Sequence, residues 1–551
     1  MLRTCFLSLS CMLVAVAGAF SQQEHANNGE AIGWVPREIL QRPVTLREGI
    51  GKINDPVSTS SPEAQAFYNQ GVAYLHSYVW IEAARSCNQA LRSDPKLALA
   101  YVCLSRAYSG LEDQVAAQAA LQSARSLAAN LSEREQLRIA LRAQQLEAIN
   151  DIQNAAKHEA YKKAIDEALT KYPDDSELWL LRGNAEEPTA AGRGQRGRIG
   201  AVAYYEAALA ISPNNPAAEH YLVHAYESTG HADEAVKHGE IYARLCPAIP
   251  HAQHMYGHDL RVVGRTEEAI GQFRKADALE KAYYQSESIS ARYDWHRIHN
   301  LDLLAESYEF NGQIKQAEEL LREFFSLPAN DAFWASYQSD WPRFLLSHGR
   351  YQEAEAAARE MIQGKFALQR TAGHLFAARA LVAVDRLDQA RQEMAAAEKE
   401  LQNVPESDPE PVMPQPRKVL TTQMATLQGE IALHDRKTSE ANAQLRALLE
   451  RRFMIAKGSA DTIGHLFTML YLAQQARAYA DWDLVESIGR EMLLFDPSYA
   501  GGHLVTALAA EHKGDLDVAR RELTSAQKLW SEADPDFTEL VEVRSKLAKL
   551  R

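Results

Sequence analysis

The chain has 551 residues, 46% of them hydrophobic and 24% charged, so it is long enough for several domains or for one long repeat array. Its 59 basic and 73 acidic residues leave a net charge of −14. This charge disfavours a broad nucleic-acid-binding surface, which needs a basic face, and we expect no nucleic-acid partner. Only 8% of the residues are aromatic, and the composition favours a helical protein over a large all-β enzyme.

The first 19 residues have the order of a secretory signal peptide. Arg3 precedes an apolar run over 5–16, and small residues follow at Ala15, Ala17 and Ala19. A membrane anchor needs nearly 20 apolar residues, and this run barely reaches that length even with its serines counted. We predict cleavage after Ala17 or Ala19 and an exported chain, periplasmic or secreted, with no transmembrane segment after cleavage.

Three cysteines remain after the predicted cleavage, namely Cys87, Cys103 and Cys246. So few cysteines in a chain of this length cannot form a disulfide framework. Cys87 and Cys103 could pair in an oxidising compartment, but we expect all three to be small apolar core residues.

A period of 34 residues organises most of the chain. In the first copy, small residues stand at repeat positions 8, 20 and 27, and a proline stands at position 32. These residues are Gly71, Ala83, Ala90 and Pro95, and the second copy has small residues at Ser105, Ala117 and Ala124. Small side chains let paired helices approach closely, and proline ends the second helix. The pattern resembles the tetratricopeptide repeat (TPR), which implies an all-α, TPR-type α-solenoid, a right-handed superhelix of helix–turn–helix units.

The repeat and its interruptions define the predicted domains. Residues 20–60 lack a helical period and form an extended N-terminal arm, and residues 61–401 form a TPR solenoid with a Gly/Arg-rich insertion at 188–200. Residues 402–417 contain five prolines and form a linker to a C-terminal block of helical repeats, 418–551.

Histidine is concentrated in one part of the chain, since nine of the 18 lie between 220 and 299. Two successive repeats each place histidine at positions 5 and 9, and such residues share one helix face. At about 100° per residue, position 2 lies on the same arc, away from the core of the helix pair. In TPR proteins this face lines the concave groove, so the resemblance implies a binding groove there. Its predicted residues are His220, His224, His251, His254, His258 and His299.

The same face also offers a possible metal site. The next repeat places carboxylates at positions 5 and 9, and adjacent helices pack about 8–10 Å apart. Imidazole and carboxylate are ligands for Zn²⁺ or another divalent first-row metal. The candidate set is His220, His224, His254, His258, Asp302 and Glu306. In a hydrolytic version of this hypothesis, Asp302 or Glu306 serves as ligand or general base. Alternatively, the histidines contact a peptide or fill helix interfaces.

Two further features belong to this region. The segments HYLVHA and PHAQHMYGH resemble a group of bacterial TPR proteins that carry H-Y-x-x-H-A and P-H-A-x-H-M-x-x-H, a group without a settled activity. The insertion before them contains Arg193, Arg196 and Arg198, which form a candidate anion-binding loop, although a solvated loop is the alternative interpretation.

The sequence therefore favours an exported TPR scaffold that binds a peptide or protein segment in its concave groove, without enzymatic activity. The alternative is a metal-binding or metal-dependent hydrolytic protein that uses the histidine cluster within 220–306.

Overall fold

The computed structural model describes residues 35–187, 197–329, 332–406, 416–449 and 461–550. The α-helices before residue 290 are α1 Arg37–Leu40, α2 Pro62–His76, α3 Trp80–Ser93, α4 Ala98–Gly110, α5 Gln114–Leu127, α6 Glu133–Ile149, α7 Ala155–Lys171, α8 Ser176–Asn184, α9 Ile199–Ile211, α10 Pro216–Ser228, α11 Ala232–Leu245, α12 Pro250–Val262 and α13 Thr266–Glu287. Those after it are α14 Trp295–Phe310, α15 Ile314–Ser326, α16 Ala332–Tyr337, α17 Asp340–Ser347, α18 Tyr351–Ile362, α19 Ala367–Ala383, α20 Leu387–Leu401, α21 Pro416–His434, α22 Thr438–Leu449, α23 Asp461–Ala478, α24 Trp482–Phe495, α25 Ala500–Lys513, α26 Leu516–Leu529 and α27 Thr538–Lys549.

Short turns join the two helices of each repeat into a hairpin, and most of these turns contain a residue with positive φ. These residues are Tyr78, Glu112, Gly230, Gly264, Gly312, Gly349, Asp385, Arg436, Ala480 and Gly514. Glycine suits this left-handed conformation because it has no Cβ. Gly230 and Gly264 are 34 residues apart, as are Ala480 and Gly514, so the structure repeats with the period of the sequence.

The small residues of the repeat lie where the paired helices touch. Ala83, Ala90, Ala117 and Ala124 are completely buried, and a Cβ on Gly71 would overlap the sulfur of Cys87. Close helix contact at these positions is what the period predicted. The predicted fold class, an all-α, TPR-type solenoid, is confirmed for the described residues.

Cys87 of α3 and Cys103 of α4 form a disulfide, with their Cα atoms 6.3 Å apart. Our expectation that they are reduced core residues was therefore wrong, although both are buried as predicted. Spacing along the chain did not show that adjacent helices bring the two sulfurs together. Cys246 is a free, buried cysteine.

The N-terminal part of the chain folds back onto the middle of the solenoid. Residues 41–60 contain no helix, and the Gly49 carbonyl accepts a hydrogen bond from the backbone N–H of Ala248, at 2.8 Å. The hydroxyl of Tyr242 donates to Ser77 Oγ at 2.9 Å, which holds the turn after α2 against α11. Residues 1–34, including the predicted signal peptide, lie outside the described residues.

The C-terminal block also returns to the middle. Across the predicted linker, Arg379 of α19 lies 3.0 Å from Glu430 of α21, so the helical stack continues past the prolines. The Trp530 indole N–H donates to the Phe310 carbonyl at 3.3 Å. Across the described ranges, no helix has the length and apolar character needed to cross a bilayer.

Candidate metal centre

Three imidazoles converge where α10 and α12 meet the turn after α2. The Nε2 atom of His220 lies 3.1 Å from Nε2 of His224 and 3.0 Å from Nε2 of His251. These residues, the histidine triad, are 0%, 8% and 4% exposed, respectively. Three ligand-type nitrogen atoms thus face one point inside the protein.

The backbone determines which nitrogen of His220 carries the proton. Its Nδ1 lies 2.6 Å from the carbonyl oxygen of His76, and a carbonyl only accepts, so Nδ1–H donates and Nε2 presents its lone pair. Both other imidazoles approach this single lone pair, which cannot accept two well-directed hydrogen bonds. A cation bound by three lone pairs satisfies all three rings. At Zn–N distances of about 2.0–2.1 Å, tetrahedral ligand nitrogens lie about 3.3–3.4 Å apart, close to the spacing found here.

Burial keeps the triad in the form that binds metal. It lowers the pKa of His224 to about 4. Burial and neighbouring imidazoles also hold the pKa values of His220 and His251 well below the usual range. All three rings are therefore neutral near pH 7, and neutral imidazole is the ligand form.

Aromatic rings enclose the triad. The Tyr78 ring centroid lies 4.6 Å from that of His220, 6.0 Å from that of His224 and 5.2 Å from that of His251. Tyr242 stacks on His220, with ring centroids 4.8 Å apart. Tyr78 has φ +58°, a conformation that is costly for a bulky residue and is retained here where its ring covers the triad.

A network of buried charges holds this cover in place. The His76 ring contacts Tyr221 Oη through Nδ1 and Glu177 through Nε2, both at 2.8 Å, and Arg106 donates to Glu177 at 2.7 Å. Burial raises the pKa of Glu177, but His76, Arg106 and Arg138 outweigh it and hold that pKa well below its usual range. The carboxylate therefore stays charged beneath α2.

The predicted groove histidines do not line an open groove. Tyr78, in the turn after α2, covers the triad, whereas α13 and α14 pack against His254 through Phe273 and Asn300. His254 is completely buried and His258 is 5% exposed, like the triad. His299 is partly buried at the next helix contact. The sequence could not show that the chain's own N-terminal part covers the triad.

The first helices of successive repeats are offset by three repeat positions, and this offset determines which side chains contact each other. With Ala235 and Ala269 at position 20 of their repeats, His251 stands at position 2 and contacts His220 at position 5. The same offset places His299 beside His254, with ring centroids 4.7 Å apart. The predicted metal set needs His220 and His254, both at position 5, to lie side by side. The stagger instead places position 5 beside position 2 of the next repeat.

The six predicted metal ligands consequently divide into separate groups. His220 and His224 join His251, whereas His258 joins Glu227 and Asp259. His254 instead contacts Asn300 Oδ1 through Nδ1, at 3.1 Å.

The two candidate catalytic carboxylates are engaged elsewhere. Glu306 accepts a hydrogen bond from Arg261 at 3.1 Å, and burial and the neighbouring Asp340 raise the pKa of Asp302 well above its usual range. Both are almost completely buried, and burial raises the pKa of Glu306 to about 8. Neither residue belongs to the group around the triad.

The candidate anion loop is described only at its end. Arg193 and Arg196 lie outside the described residues, while Arg198 is exposed and precedes α9. The anion hypothesis therefore stays a prediction.

Sequence reasoning missed several residues of this region. His251 was assigned to the groove but not to the metal set, and Glu227 and Asp259 were not singled out. Glu227 follows His224 by three residues on the same helix face, and Asp259 is adjacent to His258, so local spacing carried a signal. Tyr78 had none, since it is 142 residues from His220 along the chain (220 − 78 = 142).

No family model matches the chain, and no curated protein sequence matches it significantly. Among solved structures, the human IFIT1 dimer with PPP-AAAA is 13% identical, with a TM-score of 0.38, covering 78% of this chain and 90% of that one. Yeast Tom70 is 12% identical, with a TM-score of 0.33 and coverage of 88% and 95%. The APC/C hetero-tetramer Cut9-Hcn1 is 13% identical, with a TM-score of 0.31 and coverage of 88% and 83%. These likenesses are too distant to transfer a ligand or a partner.

Proposed function

We propose that this protein is a metal-binding TPR-type protein, in which the histidine triad holds a divalent first-row cation, with Zn²⁺ the first candidate. The observation that carries this is the convergence of three Nε2 atoms, with His220 and its neighbours 3.0 and 3.1 Å apart. The carbonyl bonded to His220 Nδ1 supplies the second interaction that typically orients a metal-binding imidazole.

Burial favours a metal over a peptide as the ligand of these histidines. A peptide lying in a groove needs exposed side chains, and the triad is enclosed by Tyr78 and Tyr242. A single ion needs only a short path and three donor atoms. The solenoid fold remains that of a binding scaffold. We propose that any protein or peptide partner binds to a surface that does not include the histidine triad.

We assign no reaction to the metal. A hydrolytic centre needs a general base near a metal-bound water. The two carboxylates proposed for that role from the sequence are Asp302 and Glu306. Glu306 is bonded to Arg261, and neither carboxylate is grouped with the triad among the described residues.

Export of the protein is part of the proposal. Two observations support it: the signal-like order of residues 1–19 and the disulfide between Cys87 and Cys103, which is typical of oxidising compartments. Mass spectrometry of the protein from cell fractions tests it. We expect a mature N-terminus after Ala17 or Ala19 in the exported fraction, and an intact Met1 in the cytoplasm would contradict it.

The metal proposal is tested on the full chain, purified without a histidine tag and loaded with Zn²⁺ or Co²⁺. We expect His251→Ala to lose one cation per chain by elemental analysis and to lose the visible Co²⁺ absorption typical of tetrahedral nitrogen coordination. His251 suits the test because its Nδ1 has no hydrogen-bond partner in the described part of the chain, so truncation breaks no other hydrogen bond found there.

His238→Ala is the matched control. His238 lies on the neighbouring helix α11, is partly exposed and contacts Glu219 at 2.6 Å, outside the triad. This variant should bind as much metal as the wild type. Equal metal content in the wild type and His251→Ala, with both folded by circular dichroism, would overturn the proposal.

A further inference from the structure

We propose a second cation site beside the triad, formed by Glu227, His258 and Asp259, which we call the carboxylate site. It goes beyond the proposed function because its ligand set is separate from the triad. One ligand atom from each residue lies within 4.8 Å of the other two.

Asp259 is the observation that points to a cation. It is 1% exposed, and neither of its carboxylate oxygens has a hydrogen-bond partner among the residues that the structure describes. A buried polar group without a partner is costly, and a buried ionised carboxylate is more so. A bound cation supplies the missing partner.

The neighbouring helix leaves room for this carboxylate. A Cβ at Gly239 of α11 would lie 2.8 Å from Asp259 Oδ2, so glycine permits the close approach. An alanine there would press on the oxygen that we assign as a ligand. The packing thus accommodates an unpaired carboxylate rather than excluding it.

The second ligand pair lies opposite. His258 Nδ1 is 3.1 Å from Glu227 Oε1, but the two atoms are not aligned for a hydrogen bond. Nδ1 has no hydrogen-bond partner within the described ranges. The nearby Arg261 is engaged with Glu306 at 3.1 Å. An imidazole nitrogen and a carboxylate oxygen that face each other without a hydrogen bond are arranged as two ligands of one ion.

His224 lies between the two sites. Its Nε2 faces the triad, and its Nδ1 is 3.8 Å from Glu227 Oε2. The two sites also differ in hardness, since the triad offers three imidazoles and the carboxylate site offers one imidazole and two carboxylates. We therefore expect the carboxylate site to take a harder divalent cation of the Mn²⁺ class, while the triad takes Zn²⁺.

The experiment uses the metal-free full chain, titrated with Mn²⁺ and followed by electron paramagnetic resonance, with Zn²⁺ present at one equivalent to fill the triad. We expect the wild type to bind one Mn²⁺ per chain. Asp259→Asn should lower the Mn²⁺ affinity at least tenfold and leave the Co²⁺ spectrum of the triad unchanged. Glu227→Gln should do the same, which guards against a folding defect in one variant.

Two outcomes would overturn the inference. If Asp259→Asn binds Mn²⁺ like the wild type, the carboxyl group is a protonated packing element. If the folded wild type binds no Mn²⁺ in addition to Zn²⁺, there is no second site. His251→Ala separates this inference from the proposed function, because it should lose the triad ion and keep Mn²⁺.

Discussion

Two contacts in the solenoid have the same register but different chemistry. Glu227 and His258 occupy positions 12 and 9 of successive repeats, and so do Glu309 and Arg343. In the first contact, His258 Nδ1 lies 3.1 Å from Glu227 Oε1 and the two atoms form no hydrogen bond. In the second, Arg343 donates two hydrogen bonds to Glu309, at 3.1 and 2.9 Å.

The pKa values follow the partner that the chain supplies. Burial raises the pKa of Glu227 to about 8, and nearby Arg261 only partly opposes it. Burial also raises the pKa of Glu309, but Arg343 and, beside it, His348 outweigh burial and bring that pKa below its usual value. The same helix packing thus yields a structural ion pair where an arginine, Arg343, lies opposite the glutamate. It yields a candidate cation site where the partner is an imidazole.

The largest effect should come from breaking the ion pair. Arg343→Met removes the guanidinium that donates two hydrogen bonds to the buried Glu309 and leaves only His348 beside it, at 3.5 Å. Loss of one partner of a buried ion pair typically costs about 3–5 kcal/mol of unfolding free energy. Urea unfolding measures it. Arg322→Met is the control, since Arg322 is 54% exposed and such pairs contribute at most about 1 kcal/mol. Similar losses of unfolding free energy in both variants would show that the buried pair stabilises the fold no more than the exposed pair does.

The second-largest effect should be stabilisation of the folded state by Zn²⁺. Zn²⁺ at 100 times its dissociation constant should stabilise the wild type by about 2.7 kcal/mol, because it binds the folded state. Thermal unfolding with and without Zn²⁺ measures this gain. Arg343→Met should keep the gain, and His251→Ala should lose it. If Zn²⁺ stabilises both variants equally, the triad is not the binding site.

Acidification should distinguish the ion pair from its neutral replacement. The pKa of Glu309 is lowered on folding, so the unfolded state binds protons first as the pH falls. The stability from Glu309 is therefore complete above the unfolded pKa of about 4.3 and is lost below it. Urea midpoints between pH 6 and pH 3 should show the gap between wild type and Glu309→Gln narrowing as the pH falls. A constant gap would contradict this sign.

The smallest effect on stability should come from converting one contact into the other. His258→Arg places a permanent cation opposite Glu227, as in the second contact. We expect Mn²⁺ binding to disappear, because a guanidinium has no lone pair for a cation. The unfolding free energy should change by no more than about 1 kcal/mol, because pairing with Glu227 offsets the cost of burying the new charge. Retained Mn²⁺ binding would show that His258 is not a ligand.

The hairpin repeat could be predicted from the sequence alone. Small residues such as Ala83 and Ala117 recur at a period of 34 because helix contact depends on local side-chain size. The importance of the histidine region could also be predicted, since His220 and His224 are four residues apart and share one helix face whatever surrounds them. Both inferences use distances within one helix or one repeat.

Only the tertiary structure decided which side chains meet. The stagger between α10 and α12 brings His251 rather than His254 to His220, and the returning N-terminal hairpin places Tyr78 over them. The packing of α3 against α4 also brings Cys87 to Cys103. These pairings depend on the packing of whole helices and on contacts between distant parts of the chain, whereas a periodic sequence specifies the helix faces but not the offset between them.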